Sequence, residues 1–154
     1  IRAAIMEANA LAGADQIILG AGTYTLTIGG TNEDSALSGD LDINSELTIT
    51  GAGAGLTIID GGGLDRVFDV PISGNATISD LTIQNGGNVN VAQGGALYMS
   101  GGSAGAQVTL ERVVVSNNSA TSEGGVAQSS RWWTARRDRA RPRQRGGLRR
   151  FAVI

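Results

Sequence analysis

Carboxylates are the side chains in this sequence whose types and spacing most suggest chemistry. Asp40 and Asp42 are each followed by one apolar residue and then lead to Asn44, which matches the first ligand positions of an EF-hand calcium loop. That loop also needs glycine at its sixth position and glutamate at its twelfth, where this chain has Ser45 and Gly51. The match is therefore limited to the opening of the loop.

The alternation with Leu41 and Ile43 places these two aspartates on the outer face of a predicted strand, opposite an apolar inner face. Glu33 and Asp34 lie nearby, in a long loop over residues 29–40. Adventitious Ca²⁺ binding by these four carboxylates is one hypothesis, and an ordinary solvated strand face is the other.

Two glycine-rich motifs lack residues that their functional counterparts require. The sequence GAGAG at 51–55 would need glycine at the position of Leu56 to bind a dinucleotide, and a predicted strand follows it rather than a helix. The sequence GGGLDRVFD at 61–69 has Leu64 and Arg66 where calcium-binding nonapeptides have glycine and aspartate. Both motifs are predicted to be structural bends.

Lys, His and Cys are absent from the 154 residues, and this excludes many mechanisms. There is no thiol nucleophile or disulfide, no imidazole base or zinc ligand, and no lysine for Schiff-base or P-loop chemistry. No apolar run is long enough for a transmembrane helix. The sequence therefore predicts no catalytic residue, no cofactor, no metal ligand and no enzymatic activity.

The elements that would position these residues are short. Residues 1–12 place apolar side chains at helical spacing, and Gly13 is a suitable stop. From Asp15 onward, short runs of β-branched and aliphatic residues alternate with Thr, Gly, Asn and Asp, which predicts strands.

The predicted strands repeat along the chain. LTITG at 47–51, ATISD at 76–80 and VTLER at 108–112 align with one another at nearly regular spacing. Each is followed by a second strand, at 56–60, 81–85 and 113–117. A third strand closes each unit, at 67–70, at 96–99 and from Val126. Such units bury their apolar faces by stacking, which predicts a solenoid.

A period of two within each strand predicts which side chains point inward. In the first strands, Leu47 and Ile49 stack on the equivalent residues of the next two units. In the second strands, Leu56 and Ile58 are predicted to stack on Leu81 and Ile83, and then on Val113 and Val115. Asp60, Asn85 and Asn117 are predicted to share one bend, where short side chains tolerate a left-handed backbone.

The opening of the chain resembles a known family. RAAIMEANA at 2–10, followed by DQIILGAGTYTLT at 15–27, is similar to the start of bacterial right-handed parallel β-helix proteins that carry the CSLREA motif. GGALY at 94–98 with VSNNSA at 115–120 resembles the repeats of polymorphic outer-membrane proteins. The resemblance implies a pectate-lyase-like fold in a secreted or cell-surface, adhesin-like protein, and it carries over no catalytic residues.

An enzyme of that fold would need a cation beside an acidic cluster, or several aspartates with a histidine. Before residue 131 the cations are Arg2, Arg66 and Arg112, and neither Arg66 nor Arg112 is predicted to lie beside an acidic trio. Asp65 and Asp69 flank Arg66 as in an ordinary surface ion pair. Polysaccharide lyase or hydrolase activity is the alternative function.

The other alternative is carbohydrate binding without catalysis, and the small number of aromatic residues argues against it. The aromatic residues before residue 131 are Tyr24, Phe68 and Tyr98, and Phe68 is predicted to face the core. Both tryptophans lie after that point. This leaves few exposed rings for stacking on sugars.

The composition changes near residue 130. Residues 1–130 carry 13 acidic residues and 3 arginines, for a net charge of −10, whereas residues 131–154 carry 9 arginines and one aspartate, for +8. Three alternatives account for the basic stretch. It is a frameshift-like, non-native end, or it is a basic tail that is solvated or docked on an acidic surface. In the third alternative it binds nucleic acid or anionic membrane through arginine and Trp132-Trp133.

The predicted organisation has three parts. Residues 1–14 form a capping helix, residues 15–128 form about four coils of an all-β right-handed parallel β-helix, and residues 129–154 form the Arg-rich tail. Since the chain starts at Ile1, we expect a fragment or processed piece. The predicted function is structural or adhesin-like, with a cell-surface glycan or a host or neighbour-cell protein as partner, contacted by loops such as 86–93 and 100–106.

Overall fold

The protein is described by a computed structural model, and strands are its main regular secondary structure. The described residues are 1–31, 33–71, 73–87, 91–99 and 106–122, with the backbone of the strands at 127–129, 134–135 and 152–153. They form mostly parallel sheets with one short helix, which confirms the predicted all-β class. The predicted strand start at Val126, and the tail apart from its short strands, lie outside these residues.

The described residues form one helix and fourteen strands. Helix α1 spans Arg2–Ala10. The strands are β1 (Ala14–Ile18), β2 (Gly22–Thr25), β3 (Leu41–Asp42), β4 (Glu46–Thr50), β5 (Thr57–Asp60), β6 (Phe68–Val70), β7 (Asn75–Ser79), β8 (Thr82–Gln84), β9 (Leu97–Met99), β10 (Gln107–Glu111), β11 (Val113–Ser116), β12 (Ala127–Ser129), β13 (Thr134–Ala135) and β14 (Ala152–Val153).

Three sheets receive these strands in rotation. Sheet A has the order β1-β4-β7-β10-β13, sheet B the order β14-β11-β8-β5-β2, and sheet C the order β12-β9-β6-β3. Successive strands of the chain therefore enter sheets A, B and C in turn up to β12. Among the described strands, all pairs are parallel except β11 with β14, which is antiparallel.

The core consists of apolar side chains stacked in register. In sheet A, Leu47 pairs with Ala76 and Ile49 pairs with Ile78, and β10 continues both rows. These side chains are all buried. The predicted inward face and register of sheet A are therefore confirmed, and Phe68 faces the core as predicted because it is fully buried.

The predicted register of β5 is wrong by one position. Ile59, not Ile58, pairs with Ile83, and Leu56 is 58% exposed. The sequences LTIID at 56–60 and LTIQN at 81–85 look equivalent but are not in register. The bend at 51–56 is longer than its counterpart at residues 80–81, and this shifts the pairing by one residue. Thr57 takes the inward position at the start of β5.

Two hydrogen bonds to its buried hydroxyl explain how threonine can occupy that position. The Thr57 Oγ1 accepts a hydrogen bond from the Ala52 N–H at 2.8 Å and donates to the Gly20 carbonyl at 2.9 Å. Because both bonds are made inside the protein, burying this polar group carries little cost. The glycine-rich motif at 51–55 is part of the bend that delivers the Ala52 donor, as its structural interpretation predicts.

The same shift alters the predicted row of bend residues. Asn85 and Asn117 both have a left-handed backbone, with φ of 54° and 55°, as the sequence predicts. Asp60 is not in their row, because it pairs with Gln84. Its carboxylate instead accepts hydrogen bonds from the Gln84 and Asn85 side chains, each at 2.8 Å, and so ties one strand layer to the next.

Helix α1 lies against the terminal strands of two sheets, β1 and β3, with Ile5 and Ala8 buried. Asn9 acts there as a substitute for a neighbouring strand. Its side-chain amide donates to the Asp42 carbonyl at 2.7 Å, and its Oδ1 accepts from the Asn44 N–H at 2.9 Å. The helix thus satisfies backbone groups on an otherwise open sheet edge.

Replacing Ile83 with aspartate tests the stacking register. We expect I83D to lose about 3–5 kcal/mol of unfolding free energy, or not to fold, because it buries an unpaired charge. The matched control is I58D, since Ile58 is half-buried in the neighbouring strand on the opposite face, and we expect a loss of about 1 kcal/mol or less. Urea unfolding followed by circular dichroism measures both. Equal losses would show that the register is wrong.

Replacing Asn9 with alanine tests the strand-like contact of the helix. We expect N9A to lose about 1–3 kcal/mol, since the Asp42 carbonyl and the Asn44 N–H each lose a partner. The exposed Glu7 of the same helix gives the control, and E7A should unfold like the parent chain. Thermal melts of the two variants measure the difference, and indistinguishable melts would contradict the role given to Asn9.

Candidate functional site

Among the described residues, the strongest concentration of charged groups lies on the outer side of sheet C. Asp42 of β3, Asp69 of β6 and Tyr98 of β9 occupy one register row across three adjacent strands. Asp40 immediately precedes β3, and Arg66 lies in the turn before β6. We refer to Asp40, Asp42 and Asp69 as the acidic cluster. One carboxylate oxygen of each lies within 4.8 Å of the others.

Arg66 is the cation that the structure places in this cluster. Its Nη1 donates to Asp69 Oδ2 at 2.9 Å, and its Nε lies 3.1 Å from Asp40 Oδ2 as an ion pair without hydrogen-bond geometry. The guanidinium also lies 4.8 Å from the centre of the Tyr98 ring, a cation–π distance. Arg66 thus contacts β6, β9 and the residue that precedes β3.

A loop covers the cluster. The Ala36 N–H donates to Asp42 Oδ2 at 2.7 Å, while the Glu33 carboxylate accepts from the Ser38 N–H at 3.0 Å. Asp40 and Asp42 are consequently only 6% and 1% exposed. The sequence predicts an outer face for these aspartates, and their burial there arises because residues 33–39 fold over that face.

Arg2 holds this loop from the helix side. Its guanidinium donates to four carbonyls, those of Ala36, Ser38, Gly39 and Asp40, at 2.5–3.3 Å. Gly39 has φ +60°, and an added Cβ would lie 2.5 Å from the Gly30 carbonyl oxygen, so the loop requires glycine there.

Burial dominates the electrostatics of the cluster. It raises the pKa of Asp40 to about 8, and repulsion from Asp42, Asp65 and Asp69 adds to this effect, while Arg66 opposes it. Burial also raises the pKa of Asp42 and of Asp69, each to about 6. The Ala36 N–H partly offsets the shift at Asp42, and Arg66 does so at Asp69. Of the three carboxyls, Asp40 therefore retains its proton near neutral pH.

This geometry corrects two predictions. Arg66 does lie beside an acidic trio, and its side chain is only 22% exposed, so it is not an ordinary surface ion pair. Glu33, a predicted calcium ligand together with Asp40 and Asp42, instead bonds the backbone of its own loop. The third carboxylate of the cluster is Asp69.

The acidic cluster is also the place where the described residues could hold a metal ion. Arg66 already contacts two of its three carboxylates, so the guanidinium supplies the compensating charge there. Calcium binding by Asp40 and Asp42 together with Glu33 and Asp34 stays a prediction. Arg112 stands apart, because it forms a two-pronged pair with the Asp80 carboxylate at 2.6 Å on the surface.

The sequence analysis missed the roles of Arg2 and Asn9. Both lie off the apolar stripe of the helix, and exposed polar residues are ordinary there. Their partners are backbone atoms of a distant part of the chain, which carry no side-chain signature. Hydrogen bonding to carbonyls of a distant loop leaves no pattern that sequence spacing can reveal.

Comparison with protein-family models, with curated proteins and with solved structures finds no match for this chain. The one helix of the described residues has nine residues, too few to cross a bilayer. The site must therefore be interpreted from its own geometry.

The raised pKa values predict that acid stabilises the protein. Each carboxyl of the cluster binds its proton more tightly when folded than when unfolded, where its pKa is near 3.8. The stabilisation is thus full below about pH 4 and is lost as the pH rises to about 8. We expect the unfolding free energy to fall over that range, by about 3 kcal/mol for a single shift of the size seen at Asp42.

Urea titrations from pH 4 to pH 9 measure this slope. D40N removes a carboxyl whose pKa is raised and should flatten the slope, whereas E7Q, on the exposed side of α1, should leave it unchanged. Below pH 4 a separate loss is expected, because Arg112 lowers the pKa of Asp80. Constant stability between pH 5 and pH 8 would refute the assigned burial of the cluster.

Proposed function

We propose that sheets A, B and C are the three faces of a right-handed parallel β-helix of about four coils. The rotation of successive strands through the three sheets supports this, since each return to a sheet adds a parallel neighbour. Parallel crossovers are right-handed in nearly all proteins, which supports the handedness. The contacts of α1 with β1 and β3 support its role as the cap of the first coil.

On this basis we propose a non-catalytic repeat protein, secreted or attached to the bacterial cell surface, with a structural or adhesin-like role. The observation that carries the proposal is the continuous in-register core, which makes a stiff stack from repeats that cannot fold alone. The resemblance to CSLREA-motif proteins and to polymorphic outer-membrane protein repeats supports the location.

The proposed partners are a cell-surface glycan or a protein of a host or neighbouring cell. Loops between the strands vary in length while the stack holds their ends, so they can present contacts without changing the core. Nucleic acid or anionic membrane becomes a partner only if residues 131–154 are a genuine basic tail.

The second candidate function is that of a polysaccharide lyase or hydrolase. The observation that favours it is the acidic cluster, where protonated and ionised carboxyls coexist beside an arginine, as acid–base catalysis requires. The loop over 33–39 opposes it, because it leaves Asp40 and Asp42 almost no exposed surface for a substrate. We therefore assign the cluster a structural role, that of fixing this loop to sheet C.

Polysaccharide turnover separates the two candidates. We expect no rise in unsaturated-uronate absorbance on polygalacturonate with calcium, and no release of reducing ends from polygalacturonate or neutral glycans. An active lyase in the same buffer serves as the positive control. Turnover that disappears in R66Q, while the variant stays folded, would instead identify the acidic cluster as catalytic.

The adhesin-like role has its own measurement. Bacteria that display the chain through a secretion signal and an outer-membrane anchor should settle faster than cells with the empty anchor. The I83D variant provides the control for folding, since it disrupts the stack and should abolish the effect. Equal settling of all three strains would contradict an adhesive role.

A further inference from the structure

A polar groove crosses the outer face of sheet A, on a different face from the acidic cluster. It has a volume of about 200 Å³ and lies over the beginnings of β4, β7 and β10. Its polar side chains form two rows in register, one of Glu46, Asn75 and Gln107 and one of Thr48, Thr77 and Thr109.

The two rows have different positions in the groove. The threonines are half-buried and form its floor, whereas the rim residues Glu46, Asn75 and Gln107 are exposed. The Asn75 side-chain oxygen accepts from the Gln107 N–H at 3.0 Å, which fixes one rim residue against the next layer. Each layer therefore repeats one rim group and one hydroxyl, about 4.8 Å from the next layer.

We propose that this groove binds an uncharged, linear polysaccharide that runs along the stack. The proposal rests on the surface role proposed above and assigns the face and the class of glycan, which that role leaves open. Hydroxyl and carboxamide groups both donate and accept hydrogen bonds, as the hydroxyls of a sugar chain do. A ligand with a regular repeat can meet the same pair of groups in each layer.

Charge decides between neutral and acidic glycans. Of the described residues that line the groove, Glu46 alone is ionisable and none is a cation. The part of the chain before the basic tail, residues 1–130, carries a net charge of −10. A polyuronate would meet repulsion there, since no arginine is among the described residues that line the groove. A neutral sugar chain does not meet this repulsion.

Backbone pairing argues against an extended peptide. Strand β7 pairs with β4 on one side and with β10 on the other, so its backbone groups are already used within the sheet. A peptide could not add itself as a further strand there. The groove is also smaller than the roughly 300–1,000 Å³ of an enclosing ligand pocket, which suits a chain that lies along it and extends beyond it.

Affinity electrophoresis tests the proposal on the whole chain. Native gels that contain a soluble cellulose derivative, xylan, galactomannan or dextran supply the neutral probes, and polygalacturonate supplies the acidic one. We expect at least one neutral polymer to retard the protein and polygalacturonate not to do so.

Threonine-to-valine variants locate the binding face, because valine keeps the branched shape and removes only the hydroxyl. We expect T77V to weaken binding about fivefold and the triple variant T48V/T77V/T109V to abolish it. The control is T23V, since Thr23 is exposed on β2 of sheet B, and its binding should equal that of the parent. Matching thermal melts establish that the variants are folded.

Three results would overturn the proposal: no retardation by any neutral polymer, stronger retardation by polygalacturonate, or equal binding by the triple variant and the parent. None of these results bears on the settling of displaying cells. Faster settling without glycan retention would leave the adhesin-like role standing and remove the groove as its binding site.

Discussion

The stacking of apolar side chains at one fixed register is the constraint on which the rest of this structure depends. No single strand of the protein encloses a core, and each inward residue is stacked on its counterparts in the neighbouring strands. Rows such as Ile59 on Ile83 convert a weak local preference for strands into a continuous interior. A charge placed in such a row acts on the layers to either side.

Bends of different length can be inserted without loss of this register, provided that the chain resumes on the correct face. The bend at 51–56 shows how this is achieved. It shifts the alternation of β5 by one position, so that Thr57 enters the core and Leu56 leaves it. The cost of a buried hydroxyl is offset by two internal hydrogen bonds, and the stacked row continues at Ile59.

Charge is handled differently on sheets A and C. On sheet C, carboxylates are buried under a loop and balanced by one arginine, which makes the region dependent on pH and closes it to large ligands. On sheet A, polar groups that are mostly uncharged are exposed in repeated rows. We propose sheet A as the face that meets an extended polar partner, whereas the outer side of sheet C is covered by the loop that Arg2 of α1 holds.

The sequence by itself determined the class of this protein and much of its layering. The strand alternation, the recurrence of equivalent strands at 47–51, 76–80 and 108–112, the inward face of sheet A and the left-handed bends at Asn85 and Asn117 all follow from short local patterns. These patterns suffice where apolar and polar residues alternate strictly, as in β4, and not in β5, where Ile58 and Ile59 are adjacent.

Only the tertiary structure decided the register of β5, the burial of the acidic cluster and the roles of Arg2 and Asn9. Each depends on atoms far apart in sequence. Asp42 is buried because a loop folds back over it, and Arg2 is important because it reaches the carbonyls of that loop from the helix. Solvation and long-range hydrogen bonding are properties of the folded chain, and they cannot be inferred from the spacing of residues in the sequence.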